Sequence, residues 1–472
     1  MFQRILQWIR EVWSKMISIP TLKQGLKIDV AITPLMTDAL QKWSAIYVNE
    51  SPWLVGDIRS LNLGAAIAAE VARAVTIEMD INISGSLRAD FLLAQMQPVL
   101  NRLRTNTEYA CAKGGLMLKP YPRGKEIIVD AVQADMFYPI AFDSNGNMTS
   151  CVFADQKTIG QNFFTRLEFH QFAPSAYRIT NTAWKSSVRD MLGTQINLTD
   201  VSDWADILPD ATILNIEKPL FAYFKMPFAN NIDTSSPLGV SIYARVAHGD
   251  NPLLRQADQQ WTDFLWEFES GKRAVYTDVL AFGKDAAGKP ILPNQRLYRL
   301  LDINSKVDGK GFFEDWTPTL REVNLLNGLD AILRRVEFNC GLSYGVLSNP
   351  QAVALTATEI KNSQQRYYST VTDIQKALED ALNDLLYAMD TWATLANLAP
   401  RGAYSVGYQF DDSVVTDHDT QFQQDLLALD RVMSRVEFRM RNYGEDEPTA
   451  RKMIALVDAE KPEPTSFFPA TE

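Results

Sequence analysis

At 472 residues the chain can hold two or three domains, each with a sizeable core. Hydrophobic and charged fractions of 46% and 22% are those of a folded globular protein, not of a disordered or membrane-embedded one. With 46 basic against 57 acidic residues the net charge is -11, which speaks against gripping nucleic acid by phosphate neutralisation but not against a surface past which DNA slides.

The first residues put Ile5, Trp8, Ile9 and Val12 on one helical face. They lack the continuous apolar run and small-residue cleavage site of a signal peptide. No window approaches the ~20 apolar residues that span a bilayer. Asn62-Leu63-Gly64 opens an alanine-rich helix over 65–74, which passes into an alternating strand over 76–83. A helix over 87–104 follows, and at Gly114-Gly115 a further helix gives way to a strand. Residues 126–132 and 148–153 predict strands, with Asp143-Ser144-Asn145-Gly146-Asn147 as the turn between them. Residues 166–170 and 177–181 continue an antiparallel pattern, so the first 236 residues form one mixed α+β domain. His170 lies in a strand pattern without metal-ligand spacing and reads as structural. Cys111, Cys151 and Cys340 are far apart and read as reduced core thiols.

Pro252 begins a helix whose apolar stripe is Leu254, Ala257, Trp261, Phe264, Leu265 and Phe268, and Gly271 ends it. Residues 272–282 and 295–301 predict strands, with 283–290 as a hairpin turn. After Trp316-Thr317-Pro318 a second helix carries Leu325, Leu329, Ile332, Leu333, Val336 and Cys340. A small β module inserted between two helices requires both to return toward the same place. Between Pro350 and Pro400 there is neither Pro nor Gly. Ile360, Tyr367, Val371, Ile374, Leu378, Ala381, Leu385, Met389, Trp392 and Ala396 recur there in steps that predict a helix over 356–398, roughly 60 Å long. A strand over 405–410, helices over 420–443 and 447–460, and a loose proline-bearing tail over 461–472 close the chain.

Two motifs invite a ligand. Gly283-Lys284-Asp285-Ala286-Ala287-Gly288-Lys289 has the spacing of a phosphate loop, but Pro290 stands where a Ser or Thr hydroxyl is needed and removes an N–H from the nest. Asp411, Asp412, Asp417, His418 and Asp419 could hold a hard cation, yet lack the glycine and terminal glutamate of a calcium loop, so helix capping is the better reading. No catalytic triad or paired-carboxylate geometry can be picked out, and no catalytic, cofactor or metal site is expected.

Several stretches carry a resemblance in a fixed order: GGLMLKPY, VQADMFYPI, TRLEFHQF, PLFAYFKMPFANNIDTSSPLGVSIYARV, ALTATEI followed by NSQQRYY, DDSVVTD and YGEDEPTARKMIALV. Together they cover nearly the whole chain. It resembles the portal proteins of tailed bacteriophages, of the siphophage type with Gram-positive hosts. The resemblance implies a portal fold: a mixed α+β wing (1–236), a first stem helix (237–271), a β-rich clip (272–318) and a second stem helix (319–345). A channel loop (346–355), a long wing helix (356–400) and a helical crown (401–472) complete it. It implies a non-enzymatic ring of about 12 subunits at the capsid vertex of the virion, assembled in the host cytoplasm, through which double-stranded DNA is packaged and ejected. The implied partners are the large terminase, head-completion or adaptor proteins, and the major capsid and scaffold proteins, with no membrane. Stem contacts would come from Leu254, Trp261, Phe264, Leu265, Leu325, Leu329 and Leu333. Clip docking would use Lys272, Arg273, Lys284, Lys289 and Arg296, and the channel loop Leu347, Ser348, Asn349, Gln351 and Val353. A cytosolic multidomain enzyme with an acidic metal site at 411–419, or another capsid structural protein, stays open beside this reading.

Overall fold

A computed structural model describes residues 19–77, 79–174, 176–189, 191–272, 274–278, 298–301, 313–316, 318–349, 357–410, 422, 425–429 and 432–459. The fold class is α+β, and the chain divides into two compact units, Met1–Gln409 and Phe410–Glu472.

The first unit opens with helices α1 (Ile19–Leu26), α2 (Pro34–Tyr47) and α3 (Leu63–Thr76). Thr33 caps α2 by accepting the Met36 N–H at 3.3 Å, and Pro34 occupies a first-turn position where no N–H is needed. Strand β1 (Met79–Ser84) leads to α4 (Leu87–Leu100) and α5 (Leu103–Lys113). The single helix expected over 87–104 is therefore two. Pro98 lies in the last turn of α4, and Arg102 leaves helical geometry at φ -108° and ψ 5° before α5 starts.

Gly114 follows α5 at φ +84°, and the chain turns at once into β2 (Gly115–Arg123). A Cβ on Gly239 would come within 2.0 Å of the Gly114 carbonyl oxygen, so both glycines permit the close approach of these backbones. β2 pairs antiparallel with β3 (Glu126–Gln133) and with β10 (Ala222–Lys225). A second sheet has the order β4 (Phe137–Phe142), β5 (Met148–Ile159), β6 (Asn162–Ala173), β7 (Ala176–Ser186) and β8 (Thr194–Ile196), with β9 (Asp210–Leu214) also on β7. The turn at 143–147 forms as expected, but it joins β4 to β5 rather than the strand at 126–133. β4 was not legible because Pro139 and a register shift interrupt its alternation.

Residues 237–252 are a connector that is largely buried from Leu238 to Ala247, exposed at 248–251, and contains one helical turn, α6 (Ala244–Ala247). Then α7 (Leu253–Ser270) and α8 (Glu322–Cys340) form an antiparallel pair around a three-stranded sheet, β11 (Ala274–Asp278), β12 (Tyr298–Leu301) and β13 (Phe313–Trp316). β11 runs antiparallel to β13 but parallel to β12. The parallel register of β11 and β12 differs from the antiparallel pairing that a hairpin between these strands would give. The conformation of residues 283–290 lies outside the described residues.

Helix α9 (Ala357–Leu395) realises the predicted long helix. Ile374, Leu378, Leu382, Leu385 and Met389 are buried in one core with Trp43, Ile67, Val71, Met117, Phe224 and Tyr243. The core thus draws on residues well before and well after position 236. The chain passes from α9 to β14 (Ser405–Phe410), which pairs with β1.

In the second unit the helix expected over 420–443 is interrupted. Leu429 and Met433 form an isolated bridge, and the Ser434 hydroxyl caps a new helix, α10 (Arg435–Tyr443), by accepting the Glu437 N–H at 3.1 Å. Gly444 at φ +64° turns the chain toward α11 (Glu447–Ala459), where Arg435 reaches Asp458 at 2.8 Å. The cluster at 411–419 and the tail at 461–472 lie outside the described residues, as does the amphipathic start. Among the described residues no helix is long and apolar enough to cross a membrane, and no group of His, Cys, Asp and Glu could hold a metal ion.

Candidate functional site

The segment joining α8 to α9 is the best-defined candidate. Helix α8 ends in a six-to-one closure: Gly341 sits at φ +73°, and the Leu342 N–H donates to the Glu337 carbonyl at 2.9 Å. Leu342 is fully buried, which anchors the exit. A Cβ on Gly341 would stand 2.4 Å from the Thr370 Oγ1 of α9, so the two helices meet here with no room for a side chain.

Beyond this turn the backbone folds back onto α8. The Glu337 side chain is 0% exposed and pairs with no cation among the described residues. Its Oε1 accepts the N–H groups of Gly345 (3.1 Å), Leu347 (2.7 Å) and Ser348 (2.9 Å), and Oε2 accepts the Ser348 hydroxyl at 2.8 Å. A buried charge without a counter-ion is costly, and converging N–H dipoles are what offset it here. Two turns earlier Asp330 accepts the Asn349 N–H at 2.7 Å and pairs with Arg334 at 2.9 Å. On the other flank the Tyr344 N–H donates to Ser363 Oγ of α9 at 2.7 Å, and the Arg366 guanidinium lies over the Phe338 and Tyr344 rings at 4.6 and 5.3 Å.

The loop residues singled out in the sequence divide accordingly. Ser348 is buried against Glu337, and Leu347 packs on the main core. Of the three described, only Asn349 is exposed in the single chain. Gln351 and Val353 lie outside the described residues. In the single chain the Ser348 hydroxyl serves the carboxylate. Sequence reasoning missed Glu337. The available signal was a glutamate one turn after Leu333, at the edge of an apolar stripe, where charge is rarely placed without partners.

Of the helix-pair residues, Leu254 and Leu329 are buried, whereas Trp261, Phe264, Leu265, Leu325 and Leu333 are half-buried. Trp261 stacks on Phe264 at 5.3 Å between centroids. Gln260 Nε2 donates to the Leu325 carbonyl at 3.2 Å beside Gly328, and Glu267 accepts three bonds from Arg321, including its N–H at 3.0 Å. Each helix still leaves large apolar groups in solvent: Trp266 is 59% exposed, Val323 61% and Leu326 43%. α7 is also tied to the body: buried Asp258 accepts Trp53 Nε1 and the Leu61 N–H, both at 2.8 Å, and burial raises its pKa. Lys272 is exposed at the foot of the pair, while Arg273, Lys284, Lys289 and Arg296 lie outside the described residues.

Burial pushes the thiols of Cys111, Cys151 and Cys340 upward and keeps them protonated. His170 is fully enclosed, its Nδ1 2.6 Å from the Tyr177 hydroxyl and its Nε2 2.8 Å from Glu168. That matches the structural role expected of it.

No family model and no curated protein matches the chain. Among solved structures it is similar to a chain described as "Neck of native GTA particle computed with C12 symmetry", at 11% identity and a TM-score of 0.40, over 90% of this chain and 99% of that one.

Proposed function

We propose that this chain is a portal subunit of a tailed phage: a non-enzymatic structural protein that closes a ring of about a dozen copies around a DNA channel. The observation that carries the reading is the antiparallel α7/α8 pair with a small sheet at its far end. It keeps Trp266, Val323 and Leu326 in solvent although the body beside it has a complete core. Exposed side chains of this size on neighbouring helices suit a surface that identical copies cover, and heterologous contacts close into a ring when the rotation per copy divides the circle. The order of helix, β module, helix, loop and long helix supports the same reading, as does the sequence resemblance.

In this reading the β module docks the terminase and later the head-completion proteins. The loop after α8 borders the DNA, and the second unit forms the crown. The stretch Gly341–Asn349 carries no charge. Each phosphate neutralised by a wall would add affinity for moving DNA to overcome, so an uncharged loop in an acidic ring is suited to sliding contact. Light scattering of the purified protein tests the proposal: closed rings of about twelve chains are expected, and a monomer or dimer at all concentrations overturns it.

A further inference from the structure

Asp330, Arg334 and Glu337 stand at steps of four and three residues on α8, so the helix presents them along one face. All three meet the backbone of the following loop: Asp330 at the Asn349 N–H, Arg334 at the Asn349 carbonyl at 3.5 Å, and Glu337 at the N–H groups of Gly345, Leu347 and Ser348. The long bond from Arg334 is the weakest of the set, and Glu337 is the centre of it. Gly345 itself adopts φ +91° and donates to Ser348 Oγ at 3.2 Å as well as to Glu337, so the turn curls around the carboxylate. We propose that Glu337 is a positioning residue that fixes the loop to α8, so that residues 345–349 move with the stem helix as one body rather than flexing on their own. Contact between DNA and the loop is then transmitted to α8, and tilting of α8 moves the loop.

The chemistry of the carboxylate makes this specific. An apolar residue of equal size would leave the Leu347 and Ser348 N–H groups without this acceptor and Gly345 with only its longer bond to Ser348 Oγ, which the fold does not tolerate in place. Glutamine keeps one acceptor oxygen for the N–H groups and can donate to Ser348 Oγ, but without the charge that strengthens these bonds.

Hydrogen exchange on the full-length protein, resolved to single amides by mass spectrometry, reads the attachment directly. In Glu337→Ala the amides of Gly345, Leu347 and Ser348 should exchange about 10- to 100-fold faster, while α9 from Val371 to Met389 stays protected. Glu337→Gln should lie between Ala and the wild type, and Ser348→Ala should show the smallest change. Unchanged exchange in Glu337→Ala overturns the proposal, and equal loss of protection across the body overturns it too, since Glu337 would then be a general stability residue. If Glu337→Ala fails to fold, the Gln and Ser348 variants still decide.

The functional half rests on the portal reading and is tested separately. Rings carrying Glu337→Gln, built into particles with their own motor and shell, should package DNA more slowly while binding terminase as before. Loosened amides with wild-type packaging would show that transmission through α8 is not used. If the wild-type chain forms no ring, the portal reading fails while the exchange result stands by itself.

Discussion

Helix α9 from Val371 to Met389 and the α7/α8 pair are both amphipathic helices of one compact unit, yet they are stabilised differently. Ile374, Leu382, Leu385 and Met389 have no solvent exposure and lie between the alanine-rich helix α3 and the β10–β2–β3 sheet. At the helix pair buried Leu254 and Leu329 are joined by polar contacts, Gln260 to a carbonyl and Glu267 to Arg321, and large apolar side chains such as Trp266, Val323 and Leu326 face water. A dry core is complete in one copy of the chain. A polar crossing with exposed aliphatic and aromatic groups is complete only when something else covers it. The body therefore sets the stability of the single chain, and under the proposed portal function the helix pair sets how it associates.

The largest effect should come from the dry side. Leu385→Ala removes a fully buried side chain from a packed interior and should cost ~2–5 kcal/mol, because little around it can collapse into the space. Urea denaturation at matched protein concentration measures this. A loss under 1 kcal/mol would mean that the core is far more adaptable than its burial implies.

Where the two regions meet, Gly341→Ala should cost ~1–3 kcal/mol. It has two causes that can be separated: a side chain at φ +73°, and a Cβ 2.4 Å from Thr370 Oγ1. Adding Thr370→Ala should recover the steric part and leave the backbone part. No recovery in the double variant would show that the contact is not tight.

A smaller, pH-dependent effect belongs to the outer sheet. Burial lowers the His170 pKa below its usual 6.5 despite the pull of Glu168, so the ring is neutral, with Nε2–H donating to Glu168 and Nδ1 accepting from Tyr177. Burial alone would raise Glu168, but Lys119, His170 and Arg166 bring it well below 4.5. Both groups hold fewer protons folded than unfolded, so both stabilise at neutral pH. The histidine contribution is complete above pH 6.5 and is lost as pH falls through the folded value; the Glu168 contribution is complete above 4.5 and is lost below it in the same sense. The unfolding free energy, and with it Tm, should therefore drop on going from pH 7 to pH 5, the former by at most about 1.4 kcal/mol per pH unit from His170. His170→Gln, which keeps a donor and an acceptor, should flatten that part of the profile, and an unchanged profile would place the titration elsewhere.

What was legible in the sequence follows the same division. The unbroken stripe from Val371 to Met389 marked α9 because a fully buried helix face repeats at a fixed spacing. The helix, β module, helix order was legible from Gly271 and Pro318. The parallel partner of β11 was not, since pairing direction is set by a crossover and leaves no local trace. Nor was the break before Ser434, where a cap competes with a continuous helical pattern. The candidate site was half visible: the uncharged loop stood out by composition, whereas the carboxylate that shapes it lies on the helix before it. Unlike a helix cap, a carboxylate that accepts N–H groups from the loop after its own helix follows no fixed spacing, so only the folded backbone brings Glu337, Gly345 and Ser348 together.

The smallest effect on the single chain, and the sharpest test of the comparison, is Trp266→Gln. Trp266 is 59% exposed, so replacing it removes little area that the monomer has buried, and the free subunit should change by no more than ~0.5 kcal/mol. Association should change far more, because an aromatic side chain desolvated at the centre of a contact is the type that dominates binding. The measurement has to separate the two, since assembly stabilises any folded chain by mass action. Denaturation should thus be followed at a concentration low enough for monomer, and ring formation by light scattering at a high one. Expected are coincident unfolding curves and a loss of large particles. Val323→Gln on the other helix should behave alike, and the two together should cost no more than about 1 kcal/mol in unfolding. If Trp266→Gln instead lowers monomer stability by 2 kcal/mol or more, the indole is packed against its own chain, and the stem is no less self-sufficient than the body.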